Sequence, residues 1–369
     1  MRYSEAQGFV STLTPGLLLA LQKRARRLWC PSMSRRLRLI ILAIALALMG
    51  WGLPGISRAQ QGMNLGGMTM PSGMGALAGP QGQMYGAGKP GAKDADPGIS
   101  VKESYVSFID GAVPRNAFGM RFEGMYGNRQ PMRAEYLFAK GGLPNSVGFP
   151  LPETRVDSLE LTSYAEYSLS SWFSVFLEAP LRWTNPEVNA NQRGAGDMRY
   201  GLKLCTWSSD NLIATAMLRI YQPTAAHDSL GTHHWSLEPG LLAAYRITDK
   251  VLLEGEVRYW TALGGSDFAG NVLRYGAGVS YQHRLANGTW LMPVLEGVGW
   301  TILDGKTMVA SAPDNFVAQD AYGQTIVNAY AGLRMGLGRN LDFYLGYGRS
   351  LTGHVWARET YRFEMRYSY

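Results

Sequence analysis

The chain is patterned with a period of two. Its last nine residues place Tyr361, Phe363, Met365, Tyr367 and Tyr369 at odd positions and Arg362, Glu364, Arg366 and Ser368 at even ones. A stretch of this kind is a β-strand with one greasy and one charged face. Similar runs recur upstream, near 115–126, 155–169, 172–184, 196–207, 211–222 and 235–247. Five more lie near 251–262, 271–284, 289–302, 325–336 and 341–352, and the last covers 356–369. No amphipathic helix accompanies them, so the greasy faces have no partner within the chain, and lipid is the solvent that would cover them. The pattern therefore predicts an all-β fold: a transmembrane antiparallel β-barrel of about twelve strands spanning 115–369, an even count of the kind single-chain bacterial barrels use.

The connections divide into two classes. Ser170-Ser171, Ser208-Ser209-Asp210, Thr248-Asp249-Lys250, Leu285-Ala286-Asn287-Gly288 and Gly338-Arg339-Asn340 read as tight hairpin turns. The stretches 127–154, 185–195, 223–234 and 303–324 are long. Short turns on one rim and longer loops on the other fit a barrel with periplasmic turns and external loops. An even strand count puts both termini at the periplasmic rim.

Alternation also assigns the faces. In 172–184, Val175, Leu177, Leu181 and Trp183 face lipid, whereas Glu178 and Arg182 face inward. In 251–262, Leu253, Val257 and Tyr259 face out and Glu254, Glu256 and Arg258 face in. An Arg or Lys on the lipid face near mid-bilayer would cost about 2–4 kcal/mol, which favours the inward assignment throughout. Asp197, Arg199, Lys203, Glu178, Arg182, Glu254, Glu256, Arg258, Arg362, Glu364 and Arg366 are thus the candidate lumen-lining residues. Both signs are present in similar number. Such a lumen is either closed by a paired charge network or open along a ladder of charges. Inward glycines at 119, 201, 240, 276, 278, 332, 346 and 348 leave space for a pore, or else clearance for neighbouring aromatics.

The N-terminal part differs. After Met33 a basic Ser-Arg-Arg-Leu-Arg precedes an apolar run from Leu39 and a small-x-small site at Ser57-Arg58-Ala59. That is the anatomy of a signal peptide cleaved after Ala59, with residues 1–59 as leader and Met33 a candidate true start. Residues 60–98 are rich in Gly, Pro, Gln and Met, the composition of a disordered periplasmic segment. Residues 99–114 carry Tyr105, Phe108 and Ile109 at helix-like spacing and are expected under or in the barrel mouth. The formal charge of +7 invites a nucleic-acid reading. Nine of the 35 Lys and Arg lie in the leader, however, and beyond it acids outnumber bases by one, so no nucleic-acid partner is expected. Two cysteines, Cys30 and Cys205, offer neither a disulfide framework nor a thiolate metal site.

The run Gly194-Ala195-Gly196-Asp197-Met198-Arg199-Tyr200-Gly201-Leu202-Lys203 resembles the Gly-x-Gly-Asp-x-x-x-Gly-x-Lys strand of a bacterial outer-membrane family associated with phenol-degradation pathways. The resemblance implies a transporter of aromatic or hydrophobic compounds. The terminal aromatic of the alternating last strand likewise resembles the closing signal of bacterial outer-membrane barrels. That makes Tyr361, Phe363, Met365, Tyr367 and Tyr369 the candidate signal to the barrel-assembly machinery. No helix follows the Gly-x-Gly, so it is not a dinucleotide site. His234 and Ser236 share a strand face with Glu238, the raw material of a lipid hydrolase, and His227, Asp228, His233 and His234 crowd one loop; neither is read as a catalytic or metal site. The expectation is a porin-like channel of a Gram-negative-type outer membrane, passing small apolar or amphipathic solutes, hydrophobic or aromatic ones among them, passively and without a cofactor or metal. The alternative is a non-conducting barrel that anchors other material.

Overall fold

The computed structural model describes residues 99–130, 148–151, 153–285, 289–312, 315–338 and 340–369. The leader and the Met-containing segment lie outside the described residues. Among the described residues there is no helix, and so none long and apolar enough to cross a membrane.

Among the described residues sixteen strands follow one another. They are β1 (Ala117–Asn128), β2 (Val156–Ser170), β3 (Phe173–Pro186), β4 (Gln192–Ala195), β5 (Met198–Ser208), β6 (Leu212–Gln222), β7 (Trp235–Thr248) and β8 (Val251–Leu263). Then come β9 (Val272–Tyr281), β10 (His283–Arg284), β11 (Trp290–Ile302), β12 (Lys306–Ala312), β13 (Asn315–Asp320), β14 (Thr325–Leu337), β15 (Leu341–Ser350) and β16 (Glu359–Ser368). Twelve of these, all but β4, β10, β12 and β13, form the wall of a closed antiparallel barrel. Closure is between the first and last strands, β1 and β16, in register from Ala117 opposite Ser368 to Tyr126 opposite Glu359. The barrel has no free edge, so every wall strand is paired on both sides.

Four short strands depart from the sequence pattern. β4 extends the line of β5 along β3, with Trp183 opposite Arg193, and β10 prolongs β9 beside β11. β12 and β13 form a separate hairpin within the stretch read as the loop 303–324. β4 likewise occupies part of the stretch read as a loop at 185–195.

The faces follow alternation. On β3, Ser174, Glu178 and Arg182 are buried inward while Val175, Leu177, Leu181 and Trp183 are exposed outward. On β8, Glu254, Glu256 and Arg258 are buried and Leu253, Val257 and Tyr259 are exposed. The outer surface carries aliphatic residues at mid-height, among them Leu241 and Leu345, each about two-thirds exposed. Aromatics gather at both ends: Tyr126, Trp183, Trp235 and Tyr361 at the long-loop rim, Tyr167, Tyr245, Tyr281 and Tyr367 at the short-turn rim. An apolar band between two aromatic belts is the outer face of a transmembrane barrel.

Ahead of β1 the chain enters the barrel. The Ile99 amide donates to the Asp249 carbonyl in the β7–β8 turn at 2.7 Å, and the Tyr369 amide to the Asn116 carbonyl at 3.2 Å. Both ends of residues 99–116 therefore lie at the short-turn rim. Between them Tyr105, Val106, Phe108, Ile109 and Ala112 are buried with no helix or strand formed. This segment is a strap looped through the lumen.

Candidate functional site

The inner wall holds a continuous chain of ion pairs running from β2 to β9. Glu160 binds Arg182 at 2.5 Å and Arg199 at 3.0 Å, Arg199 binds Glu178 at 3.2 Å, and Glu178 binds Arg219 at 3.2 Å. Arg219 and Arg258 share Glu238, at 3.3 and 3.2 Å. Arg258 and Arg274 share Glu256, at 3.2 and 2.7 Å. A second group spans β14 to β1: Arg334 binds Glu364 at 3.0 Å and also Asp342, Arg366 binds Asp342 at 2.8 Å, and Arg362 binds Glu123. Lys203 pairs with Glu166 at 2.9 Å nearer the short-turn rim. Buried charges persist when they are paired in this way or hydrogen-bonded.

The interior is not charged all round. The inward residues of β11 are Met292, Val294, Val298, Trp300 and Ile302, all buried, with Glu296 the one ionisable group among them. The strap lays its apolar side chains along this sector. A methyl built on Gly276 would lie 2.5 Å from Ile109 Cγ2, and one on Gly278 2.6 Å from Val106 Cγ1. Phe108 stacks on Tyr330 with centroids 3.7 Å apart and has the Arg362 guanidinium carbon 3.8 Å from its own centroid. The space that glycines were expected to leave is filled: Tyr344 packs over Gly332 and Gly346, and Tyr330 over Gly348.

A buried irregular backbone must find hydrogen-bond partners outside itself. Here the wall charges supply them. Glu254 Oε2 accepts the amides of Tyr105 at 3.0 Å and Val106 at 3.4 Å. Glu296 accepts those of Ser107, Phe108 and Ile109, at 3.1, 2.8 and 3.0 Å. Glu256 accepts that of Asp110 at 2.9 Å. On the acceptor side, Arg334 donates to the carbonyls of Tyr105 and Val106 at 2.8 and 3.0 Å, Arg362 to that of Ser107, and Arg274 to that of Phe108. Carboxylates thus hold six consecutive amides and guanidiniums four consecutive carbonyls.

The strap's one carboxylate at depth is Asp110. Its Oδ2 lies 2.8 Å from Arg258 Nη1 and 3.1 Å from Arg219 Nη2, and its Oδ1 accepts from Arg219 Nη2 at 3.2 Å. Burial by itself would raise the Asp110 carboxyl; Arg219 and then Arg258 outweigh that and hold it well below the ordinary carboxylate range. Near the rim, burial and then the charge and hydrogen bond of Glu103 push the Tyr105 phenol far above its usual value.

Beside the strap is a polar cavity of about 110 Å³, lined by Asp110 and Phe108 of the strap and by wall residues including Arg121, Arg182, Arg199 and Glu178. A single benzene needs roughly 150 Å³, so with the strap seated this space suits water and the smallest solutes. Of the residues singled out from sequence, Arg199, Arg182, Glu178, Glu256 and Arg258 come together in the ion-pair chain around it. Glu254, Arg362 and Glu364 engage the strap, the last through Ser107 Oγ at 2.7 Å. Lys203 and Arg366 line a smaller space of about 30 Å³ that also touches Val106 and Gly111 of the strap.

Asp197 does other work. It is buried and accepts from the Thr232 amide at 2.8 Å, the Thr232 hydroxyl at 3.1 Å and the Ala225 amide at 3.3 Å, tying the loop 223–234 to the wall. Gly196 allows Arg182 Nη1 to pass 3.0 Å from where its Cβ would be. Sequence reasoning missed Asp110, whose partner Arg219 lies 109 positions away, Tyr330, which stacks on Phe108 of the strap, and Asp342, which joins Arg334 and Arg366 of the two neighbouring strands. Ser236 and His234 are buried on the inner face, where His234 meets Trp260 edge-on. In the same loop His233 pairs with Asp228 at 3.2 Å, and among the described residues no group of three His, Cys, Asp or Glu is placed to hold a metal ion.

No family model matches the chain, and no curated protein matches it in sequence. Several solved structures share its outline. An outer-membrane channel from Pseudomonas putida F1 is 15% identical with a TM-score of 0.47, over 72% of this chain and 98% of that one. The KdgM porin is 10% identical with a TM-score of 0.39, over 69% and 99%. The beta domain of the Bordetella autotransporter BrkA is 12% identical with a TM-score of 0.42, over 69% and 100%. None of these three identifies the phenol-degradation family that Gly194–Lys203 resembles, and the fold stands on the strand pairing itself.

Proposed function

We propose that the chain is an outer-membrane channel for the passive passage of small hydrophilic solutes, with the strap of residues 99–114 as its gate. One observation carries this reading: the ion-pair chain from Glu160 to Arg274 is complete without the strap, while the strap's backbone is held by single carboxylates and guanidiniums whose bonds water can replace. A ladder of wall charges that stays paired when the strap leaves, with Glu254 and Glu296 passing from strap amides to water, is a pore lining. The guanidinium and carboxylate surface supports a polar solute over the aromatic one implied by the motif resemblance. Export through a leader cleaved after Ala59, insertion by the barrel-assembly machinery and contact with outer-membrane lipid belong to the same proposal.

The competing reading is a non-conducting barrel, favoured by the way Phe108 is held between Tyr330 and Arg362. Fully burying side chains such as Phe and Ile gains about 1.5–3 kcal/mol each, which argues for a strap that stays. Lipid hydrolysis gains no support, because Ser236 is buried on the lumen side, away from lipid. The deciding experiment is planar-bilayer recording and liposome swelling with the full chain beside a variant in which Val106, Phe108 and Ile109 are all serine. Small intermittent currents in the first and steady, larger ones in the second are expected. Silence in both would favour the non-conducting barrel.

A further inference from the structure

The strap's Asp110 sits where an anionic solute would sit. Its carboxylate is received by two guanidiniums, Arg219 from β6 and Arg258 from β8, at 3.1 and 2.8 Å. Neither arginine depends on Asp110 for its place. Glu178 and Glu238 hold Arg219, and Glu238 and Glu256 hold Arg258, all within 3.3 Å. The pair is therefore preorganised, and planar guanidiniums in that arrangement recognise carboxylates. The surrounding charge points the same way. Seven arginines and four acids line the cavity, and one of those four acids is Asp110 itself. When the strap leaves, the wall's excess of positive charge grows by one, at the two arginines that Asp110 had occupied.

We propose that Arg219 and Arg258 form the anion site of the lumen, and that small carboxylates bind there in competition with Asp110, favouring release of the strap. This rests on the channel reading and gives it a solute class and a regulator. The thermodynamics need nothing further: a ligand that binds only the state with Asp110 withdrawn shifts the population towards it. A neutral amide of the same size has no charge with which to compete.

The test reads the strap rather than the current. In the full-length protein in detergent, with Cys30→Ser and Cys205→Ser, the substitution Ala112→Cys places a thiol on a buried strap position, and its labelling by a maleimide reports strap release. Acetate exchanged for chloride at constant ionic strength should speed labelling several-fold, while acetamide should leave it unchanged. Asp110→Asn should label fast already and respond little to acetate. Hydrogen exchange of the strap amides in the unsubstituted chain gives the same readout should the thiol variant fold poorly. An equal response to acetate and acetamide, or none to either, would overturn the proposal. Absence of current with a normal acetate response would count against the channel and leave the anion site standing.

Discussion

Glu296 on β11 accepts the backbone amide of Phe108 at 2.8 Å, a bond between residues 188 positions apart. The same carboxylate also takes the amides on either side. Replacing it with Gln removes the charge and one of two acceptor oxygens. Hydrogen bonds to charged groups are worth about 1.5–3 kcal/mol, so Glu296→Gln should speed exchange of the amides of 107–109 by roughly 10-fold or more. Hydrogen exchange with mass spectrometry checks this, and unchanged protection would mean that the apolar anchors alone seat the strap.

Met365 and Arg366 are neighbours on β16 that face opposite ways. Arg366 is buried and binds Asp342 at 2.8 Å, and Asp342 keeps Arg334 if Arg366 is lost. Arg366→Gln should therefore be mild. Met365→Arg puts a charge towards lipid, costing about 2–4 kcal/mol at mid-bilayer and less near a rim. Unfolding from detergent or lipid in denaturant compares the two, and equal damage would show the facing of the strand to be wrong.

Tyr369 donates its amide to Asn116 at the seam between the first and last strands. Deleting it removes little packing, since its ring stands exposed beside Tyr367. If the terminal aromatic is read during assembly, the shortened chain should be exported normally, then accumulate in the periplasm and be degraded. Fractionation with blotting gives the answer, and normal insertion would remove that role from Tyr369.

The twelve wall strands were legible in the sequence because each needs a greasy outer face and a polar inner one, and a period of two records that in place. The run read at 172–184 is β3 at 173–186, and the one read at 251–262 is β8 at 251–263. The strap, residues 99–114, was expected under or in the barrel mouth, but how it seats was not legible, for the opposite reason. Its backbone partners are side chains such as Glu254 and Arg362, 149 and 255 positions away, so no local period announces it, and the spacing of Tyr105, Phe108 and Ile109 looked helical where the chain is irregular. Asp197 shared the inward parity of Arg199 and Lys203, yet the loop carrying Thr232 folds over to claim it. Parity gives the face of a side chain and says nothing of what arrives to meet it.

Acidity should act on Asp110 with a definite sign. Its seated carboxyl titrates well below the ordinary range, so its contribution to holding the strap is complete above the released value, about 3.9, and is lost only as the pH falls through the seated one. The difference in strap exchange between wild type and Asp110→Asn should stay constant from pH 8 to about pH 5 and shrink below about pH 4. A difference that vanishes between pH 7 and 5 would mean that Arg219 and Arg258 do not hold the carboxylate charged.

The claim that the strap gates the lumen is tested most directly by tethering it. Val106 and Gly278 are close enough for a disulfide when both are cysteine, since a Cβ on Gly278 would lie 2.6 Å from Val106 Cγ1. In a Cys205→Ser background, the oxidised Val106→Cys/Gly278→Cys protein in a planar bilayer should be silent, and a reductant added to the same membrane should bring channel openings. Identical currents before and after reduction would contradict the account.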